Sequence, residues 1–192
     1  MDRPWSQEAI DVFINNVCHC AALQIQIMKQ RIRLALSAGY PVNATRSIDN
    51  CTLLHCVLNT FEDSDVALEL IHAGANPLIR DINGRVPGHL AAFYGKLDVC
   101  QALGTAWINF ELPGGTGTPL EHALSPSGNY APPVIQYLLP HCTEDTLRAA
   151  LRAFPIRLRR ADFKAMFEEE MATRRRWTVA RAAWIAAAVL LL

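Results

Sequence analysis

Histidine and cysteine are the residues of this chain whose types best suit metal chemistry, and they occur side by side. The sequence reads CHC at residues 18–20 and HC at residues 55–56 and 141–142. Thiolate sulfur and imidazole nitrogen are the usual ligands of structural zinc. The spacing argues against such a site, because no CxxC pair exists and the three clusters are far apart in the chain. We therefore expect buried thiols that pack as small hydrophobic side chains, and no metal site.

Two further stretches contain the residue types of catalytic or phosphate-binding loops. The stretch LSPSGN at residues 124–129 has serine and glycine but is not the GxSxG elbow of a serine hydrolase. The glycine-rich stretch PGGTGTP at residues 113–119 lacks the lysine and the preceding apolar strand of a phosphate loop. It is typical of a turn between helical units. The sequence thus predicts no catalytic residue, no enzymatic activity and no cofactor.

The composition of the 192 residues indicates one folded body. Of these residues 51% are hydrophobic and 19% are charged, which is a globular composition. Residues 1–142 carry 8 Lys and Arg against 12 Asp and Glu, whereas residues 143–192 carry 10 against 6. No positive field covers the whole protein, so nucleic acid is not an expected partner. The first residues lack the apolar core of a signal peptide, which favours a reducing intracellular location, cytoplasmic or nuclear.

The elements that must position these residues come in repeating units. Three segments align with one another: CTLLHCV around Thr52, RVPGHLA around Val86 and GTPLEHA around Thr118. Their starts are 34 and 32 residues apart, a period typical of stacked helical repeats. Helix-like runs with small-residue stops alternate with these segments and end at residues 43, 78, 109 and 142. One such unit buries only one face, so neighbouring units are expected to stack into a continuous core.

These segments resemble ankyrin repeats, whose signature joins a DxxGxTPLHxAA turn and first helix to a second helix and a GADxN stop. The match is densest in the second segment, at Asp81, Gly84, Pro87, His89, Ala91, Ala92 and Gly95. The resemblance covers residues 24–142 and implies an all-α ankyrin-repeat solenoid of about three or four stacked helix-turn-helix units. We place the units at about residues 6–43, 44–78, 79–109 and 110–142. The first unit lacks the TPLH box, as terminal caps often do.

The resemblance also implies roles for single residues. His55 and His89 take the histidine position of the box, where the family uses the imidazole to tie the turns of adjacent repeats together. Pro87 and Pro119 fall in a first helical turn, where no N–H is needed. The expected left-handed helix stops are Gly39 and Gly74.

Four residues depart from the family's pattern in the middle of the array. Val86 lacks the threonine hydroxyl, Gly88 lacks the leucine side chain and Glu121 replaces the histidine. Gly104 occupies a position where the family pairs leucines inside the second helix. Glycine costs ~1 kcal/mol within a helix, and the loss of a buried leucine costs ~2–5 kcal/mol. We therefore expect this to be the least stable part of the array, unless neighbouring side chains fill the space.

Amphipathic helices are predicted at both ends of the repeats. Ser6 is the expected N-cap of a first helix whose apolar stripe comprises Ile10, Phe13, Ile14 and Val17. Residues 143–192 are expected to form a basic, helical C-terminal extension that caps the last repeat, with Thr143 as an N-cap.

Arginine runs mark this extension, at residues 157–160 and 174–176. They suit nucleic acid, an anionic membrane or an import receptor, but the interleaved EEE at residues 168–170 favours a solvated, salt-bridged helix face. Glu170 and Arg174 are expected to pair across one helical turn.

The last segment, WTVARAAWIAAAVLLL, leaves three interpretations open. Its apolar run from Ala182 has 11 residues, which is about 16 Å of helix against the ~30 Å of a bilayer core. A helix packed on the end of the solenoid is the favoured interpretation. The alternatives are a membrane-associated tail with the arginines on its cytoplasmic side, and a segment that continues in its native context or contacts a partner.

An ankyrin-like array implies a protein-binding module without an active site. The family's partner-facing positions fall on Ile82, Asn83, Arg85, Phe93 and Tyr94 in one repeat and on Ile48, Asp49 and Asn59 in the repeat before it. Phe93 and Tyr94 are the expected anchors, since aromatic residues are enriched at interface hot spots. The alternative is that Phe93 packs against the next repeat. The leading hypothesis is a monomeric, non-enzymatic adaptor for a protein partner.

Two other functions fit the sequence. In the first, the repeats recruit a target while residues 143–192 dock a larger machine such as a ubiquitin ligase. Ankyrin proteins with which viruses and intracellular bacteria manipulate their hosts have this organisation, although no F-box or SOCS-box signature is found in these residues. In the second, the C-terminal tail tethers the adaptor to a membrane.

Overall fold

The computed structural model of the chain describes residues 5–111, 117–125, 127–129, 131–153 and 165–176. The fold is all-α: these ranges contain helices and turns, and their only β-type pairing is an isolated bridge between Thr45 and Thr52. The chain divides into two compact units, Met1–Ala153 and Phe154–Leu192. The first unit extends beyond residue 142, the predicted end of the repeats, and includes the helix that begins at Glu144.

Short helices make up the described part of the first unit. In chain order they are α1 (Gln7–Cys18), α2 (Ile25–Ser37), α3 (Leu53–Thr60), α4 (Asp65–His72), α5 (Pro87–Phe93), α6 (Leu97–Ala102), α7 (Pro119–Ala123), α8 (Pro132–Leu138) and α9 (Glu144–Ala153). Single 3₁₀ turns precede α2 at Ala22–Gln24 and follow α8 at Leu139–His141. The longest of these helices has 13 residues and the shortest has 5. Helices of this length depend on tertiary packing more than on their own propensity.

Hydroxyl side chains begin several of these helices. In each case the side-chain oxygen accepts the N–H of the residue three positions later at 3.2–3.4 Å, as found at Ser6, Thr52, Thr118 and Thr143. The predicted caps Ser6 and Thr143 are thereby confirmed. Pro87 and Pro119 occupy the first turns of α5 and α7, as predicted.

Glycines in the left-handed region end the second helices. Gly39 and Gly74 follow α2 and α4 with φ of 78° and 90°, which confirms the predicted stops. The prediction for Gly104 is wrong. Helix α6 ends at Ala102, and Gly104 follows it with φ of 72°, so this glycine terminates the helix instead of weakening its interior.

The helices pack in two rows. α1, α3, α5, α7 and α9 contact one another in that order, and α4, α6 and α8 contact one another in a second row. Each of α3, α5 and α7 also packs on the helix that follows it. The buried Lys29 of α2 forms an ion pair with Asp65 of α4 at 3.1 Å, which joins α2 to the second row. Fully buried side chains of the core include Ile14, Ile32, Leu54, Leu70, Trp107, Ile135 and Leu138.

The second unit is described at residues 165–176, which form one helix, α10. Its Arg174 Nε donates to Glu170 Oε1 at 2.7 Å, so the predicted pair across one turn is confirmed. No helix in the described ranges is both long and apolar enough to cross a bilayer. The apolar run from Ala182, with its three interpretations, lies outside the described residues.

Candidate functional site

Two tight turns, which we call fingers, precede α3 and α5. In the first finger (residues 45–52) the Arg46 N–H donates to the Cys51 carbonyl at 2.9 Å. In the second finger (residues 81–86) the Asp81 N–H donates to the Arg85 carbonyl at 2.9 Å. The turn residues Asn50 and Gly84 have φ of 58° and 80°, conformations that asparagine and glycine tolerate best. Both fingers therefore have a defined backbone shape.

A carboxylate organises each finger from within. Asp49 accepts the Cys51 N–H at 3.1 Å and pairs with the Arg46 guanidinium, whose hydrogen bonds hold the pKa of Asp49 down to about 2. The buried Asp81 accepts the N–H groups of Asn83 and Arg85 at 2.9 and 2.8 Å. Its second oxygen accepts from Arg85 Nε at 2.8 Å. Because these charges are paired inside the fingers, they hold the turns in shape.

Hydrogen bonds join the first finger to the second. The Ile82 N–H donates to the Asp49 carbonyl at 2.8 Å, and Asn50 Nδ2 donates to the Arg80 carbonyl at 2.6 Å. His55 Nδ1 accepts the Thr52 N–H at 3.2 Å, so Nε2 carries the proton and donates to the Arg85 carbonyl at 3.1 Å. His55 thus ties adjacent turns together, as expected.

The predicted partner-facing residues of the fingers lie together. Ile48 and Ile82 are 77% and 69% exposed, and the bond between Ile82 N–H and the Asp49 carbonyl makes their turns neighbours. Asn83 is also exposed, while Asp49 and Arg85 are partly buried by their ion pairs. We call these five residues the finger surface.

The other three predicted residues form a separate group at the ends of α3 and α5. The Tyr94 hydroxyl donates to Asn59 Oδ1 at 2.7 Å, and the Phe93 and Tyr94 rings meet edge to face with centroids 5.0 Å apart. Residues 53–58 of α3 and 87–92 of α5 are buried. These buried helical segments separate Asn59, Phe93 and Tyr94 from the finger surface along the chain.

Phe93 is half-buried against the following unit. Its carbonyl accepts the Asn129 N–H at 2.8 Å, and its ring lies 6.4 Å from that of His122, measured between centroids. A Cβ on Gly128 would lie 2.6 Å from the Phe93 carbonyl oxygen and 3.1 Å from the ring. The alternative that we considered for Phe93, packing against the helical unit that follows, is therefore observed.

His89 differs from His55, although both occupy the same position of the box. His89 Nδ1 accepts the Val86 N–H at 3.2 Å, but its Nε2 makes no hydrogen bond to any described residue. The Phe110 carbonyl is near enough to act against the lowering of the His89 pKa. Its position relative to Nε2 does not, however, meet the geometry of a hydrogen bond. Burial, followed by His122 at 5.2 Å between ring centroids, lowers the pKa of His89 to about 4. The expectation that His89 ties adjacent turns is not met in the described residues.

Two of the noted departures, Gly88 and Glu121, are compensated. Trp107 is fully buried against Gly88, where a Cβ would lie 2.1 Å from the indole. The indole therefore fills the volume that a leucine would take. At the third box Glu121 Oε2 accepts the Thr118 N–H at 2.6 Å, which is the contact that His55 makes at the first. A carboxylate replaces the imidazole and completes a capping box.

Two buried lysines were not anticipated from the sequence. Lys96 donates to the Phe61, Glu62 and Asp63 carbonyls at 2.6, 3.0 and 3.3 Å. Lys29 pairs with the Asp63 and Asp65 carboxylates from the other side. Both fasten the loop between α3 and α4. Nothing in the neighbouring sequence indicates these contacts, because their partners in the loop lie 33 or more residues away along the chain.

The six cysteines, all within the described ranges, are thiols. Cys56, Cys100 and Cys142 are buried, as expected, but Cys18, Cys20 and Cys51 are only partly buried. The sequence also failed to show that Cys56 is within hydrogen-bonding reach of Cys18, because Cys18 belongs to α1 and Cys56 to α3. Among the described residues, no group of three or more His, Cys, Asp or Glu side chains is arranged to hold a metal ion.

The finger surface thus offers exposed aliphatic groups on a hydrogen-bonded frame. Its two ionic groups are engaged within their own fingers, Asp49 by Arg46 and Arg85 by Asp81. Comparison of the chain with protein-family models and with curated proteins finds no match.

Proposed function

We propose that this chain is a non-enzymatic protein-binding module of the ankyrin-repeat type, monomeric and intracellular, which holds a protein partner on its finger surface. The recurring geometry of the units supports the repeat type. α3 and α5 each follow a finger, and in each the box histidine accepts the N–H of the residue before the helix. The helices α2, α4 and α6 each end before a left-handed glycine.

The observation that carries the proposal is the exposure of Ile48 and Ile82 on adjacent, hydrogen-bonded fingers. Burial of an isoleucine side chain contributes about 1.5–3 kcal/mol. The pair therefore contributes ~3–6 kcal/mol on full burial, comparable to the ~4 kcal/mol that separates millimolar from micromolar affinity. The side chains stand on a fixed backbone, so little conformational entropy is lost when a partner covers them.

The charges beside the isoleucines indicate the chemistry of the partner. Asp49 is engaged by Arg46, and Arg85 is engaged by Asp81. The fingers therefore present little unpaired charge. We expect the partner to place apolar side chains on Ile48 and Ile82, and to make polar contacts with Asn83 at the edge.

Affinity capture from an extract of the native cells tests the proposal. The full chain is compared with the double variant Ile48→Lys/Ile82→Lys. The two ammonium groups prevent an apolar contact with a partner, and they keep the variant protein soluble. The control is Leu23→Lys/Leu34→Lys, whose leucines are 98% and 68% exposed at the 3₁₀ turn and on α2. The proposal predicts proteins that bind the full chain and the control but are lost from the finger variant.

A third variant, Phe93→Ala/Tyr94→Ala, shows whether the group of Asn59, Phe93 and Tyr94 contributes to binding in addition to the finger surface. If the partner covers both, this variant loses capture as well; if the fingers suffice, capture persists. Circular dichroism confirms that each variant keeps its helices. An identical set of captured proteins for the full chain and the finger variant would contradict the proposal.

A further inference from the structure

Three thiols, one from α1 and two at or just before the start of α3, lie close together beside the first finger. Cys18 is the last residue of α1, Cys51 lies just before the N-cap of α3, and Cys56 lies within α3. The Cys56 thiol is within hydrogen-bonding reach of both Cys18 and Cys51. Cys56 is 3% exposed, whereas Cys18 and Cys51 are partly accessible to solvent. The packing of α1 on α3 therefore brings together sulfur atoms that are 38 residues apart in the sequence.

The surroundings shift the pKa values of Cys18 and Cys56 in opposite directions. The hydrogen bond with Cys56 lowers the pKa of Cys18 to about 7, and Arg46 and His19 act in the same direction against burial and Asp49. The Cys18 and Cys51 sulfur atoms and burial raise the pKa of Cys56. Cys18 is thus the more acidic thiol of the pair and the first to form a thiolate. A partly exposed thiolate with a neighbouring thiol is the arrangement found at cysteines that react with peroxides.

We propose that Cys18 and Cys56 form a redox-modification site, which a hydroperoxide converts from two thiols into one disulfide between α1 and α3. In the first step the Cys18 thiolate attacks a peroxide oxygen, the O–O bond breaks, and Cys18 becomes a sulfenic acid as hydroxide or an alkoxide leaves and takes a proton from solvent. In the second step the Cys56 sulfur attacks the Cys18 sulfur. The S–O bond breaks, and the departing hydroxide takes the Cys56 proton to leave as water. Two thiols are oxidised and one peroxide is reduced.

The bond would join the first helical unit to the second next to Asp49 and Ile48. The reduced units are held together by packing and hydrogen bonds, so a covalent link restricts the unfolded chain and resists separation of α1 from α3. This inference concerns a modification of the chain and stands independently of the proposed binding function.

Hydrogen peroxide and the reduced full chain provide the test. After oxidation the remaining thiols are alkylated, and the protein is digested without reductant. Trypsin leaves Cys51 and Cys56 in one peptide, because no Lys or Arg lies between Arg46 and Arg80. Chymotrypsin then cleaves after Leu53 and Leu54 and separates the two cysteines. The proposal predicts a peptide containing Cys18 linked to one containing Cys56, with the loss of two hydrogens from the intact mass.

Serine variants identify the participating sulfur atoms. Cys20→Ser is the matched control, because its sulfur lies two residues from Cys18 and contacts the Ala21 carbonyl instead of the cluster. Cys20→Ser and Cys100→Ser are expected to form the same disulfide as the full chain, whereas Cys18→Ser and Cys56→Ser form none. A Cys51–Cys56 link, an equal yield in Cys18→Ser, or six unmodified thiols after peroxide treatment would overturn the proposal.

Thermal unfolding supplies a second measurement that does not depend on peptide mapping. The oxidised full chain should unfold at a midpoint roughly 5–15 °C above that of the reduced chain. Reductant should reverse the shift, and Cys18→Ser should show none. A midpoint that peroxide leaves unchanged or lowers in the full chain would count against a disulfide that fits the fold.

Discussion

The indole of Trp107 lies directly on the α-carbon of Gly88, and the two residues together take the volume of one leucine side chain. The equivalent positions in the other boxes are Leu54 and Leu120, both buried. The indole also fastens its own segment, because Trp107 Nε1 donates to the Gly104 carbonyl at 2.7 Å. One aromatic side chain thus fills a hole in α5 and closes the turn after α6.

A double-mutant cycle tests this complementarity. Trp107→Ala should lower the free energy of unfolding by ~3–5 kcal/mol, because it leaves a cavity. Gly88→Leu should also destabilise, by ~1–3 kcal/mol, because its side chain would overlap the indole. In the double variant the leucine occupies the space that the indole leaves, so it should be more stable than Trp107→Ala. Urea unfolding followed by circular dichroism measures the three differences, and strictly additive losses would show that the residues do not share one volume.

His55 should contribute far more to stability than an exposed histidine. His55→Ala removes the acceptor of the buried Thr52 N–H and the donor to the partly buried Arg85 carbonyl. Leaving the buried Thr52 N–H without an acceptor costs ~1–3 kcal/mol. The Arg85 carbonyl keeps its hydrogen bond from the Asp81 N–H, so the lost bond from His55 adds only ~0.5–1.5 kcal/mol. We therefore expect a total loss of about 2–4 kcal/mol. His72→Ala is the control, since His72 is exposed at the end of α4 and its replacement should change stability by less than ~0.5 kcal/mol. Equal midpoints for the two variants in urea would contradict the bridging role of His55.

Stability should fall as the pH is lowered from about 6.5 towards 4. Burial is the main cause that lowers the pKa values of His55, His89 and His122 in the folded chain, to about 4 for His89. In the unfolded chain these rings titrate near pH 6.5. Between these values the unfolded state binds more protons, so acid favours unfolding by up to ~1.4 kcal/mol per pH unit for each histidine.

The carboxylates do not account for this window. The pKa of Asp49 and that of Asp65 are both held near 2, so the stability that they contribute is lost only below about pH 4. Urea unfolding at several pH values between about 7 and 4.5 measures the slope, and His89→Gln should reduce it. A free energy of unfolding that stays constant across this range would contradict the burial of neutral imidazoles.

The caps and stops of the helices could be predicted because they depend on neighbouring residues. A hydroxyl before a helix, a proline in its first turn and a glycine after its end act within one turn of the chain, and Ser6, Thr143, Gly39 and Gly74 behave as their local sequence indicates. The all-α class follows from the same local signals. Gly104 was assigned wrongly because the family's spacing was applied to a helix that is shorter in this chain.

Contacts between successive helix pairs of the first compact unit could not be predicted from one sequence. Nothing near Gly88 identifies Trp107 as the side chain that fills its space, and nothing near Cys18 identifies Cys56 as its neighbour. Both contacts depend on how the helices of successive units pack. For the same reason the sequence did not show that the Tyr94 hydroxyl donates to Asn59 Oδ1, a contact between residues 35 positions apart.

Site-specific photocrosslinking tests the binding account most directly. A photoreactive phenylalanine derivative is placed at Ile82 in one form of the chain and at Leu34 in another, both exposed positions. Each form is irradiated in an extract of the native cells, and the crosslinked products are identified by mass spectrometry. We predict a discrete protein adduct from position 82 that is absent from position 34 and from chains that also carry Ile48→Lys. Adducts from position 34 with none from position 82 would contradict binding at the fingers.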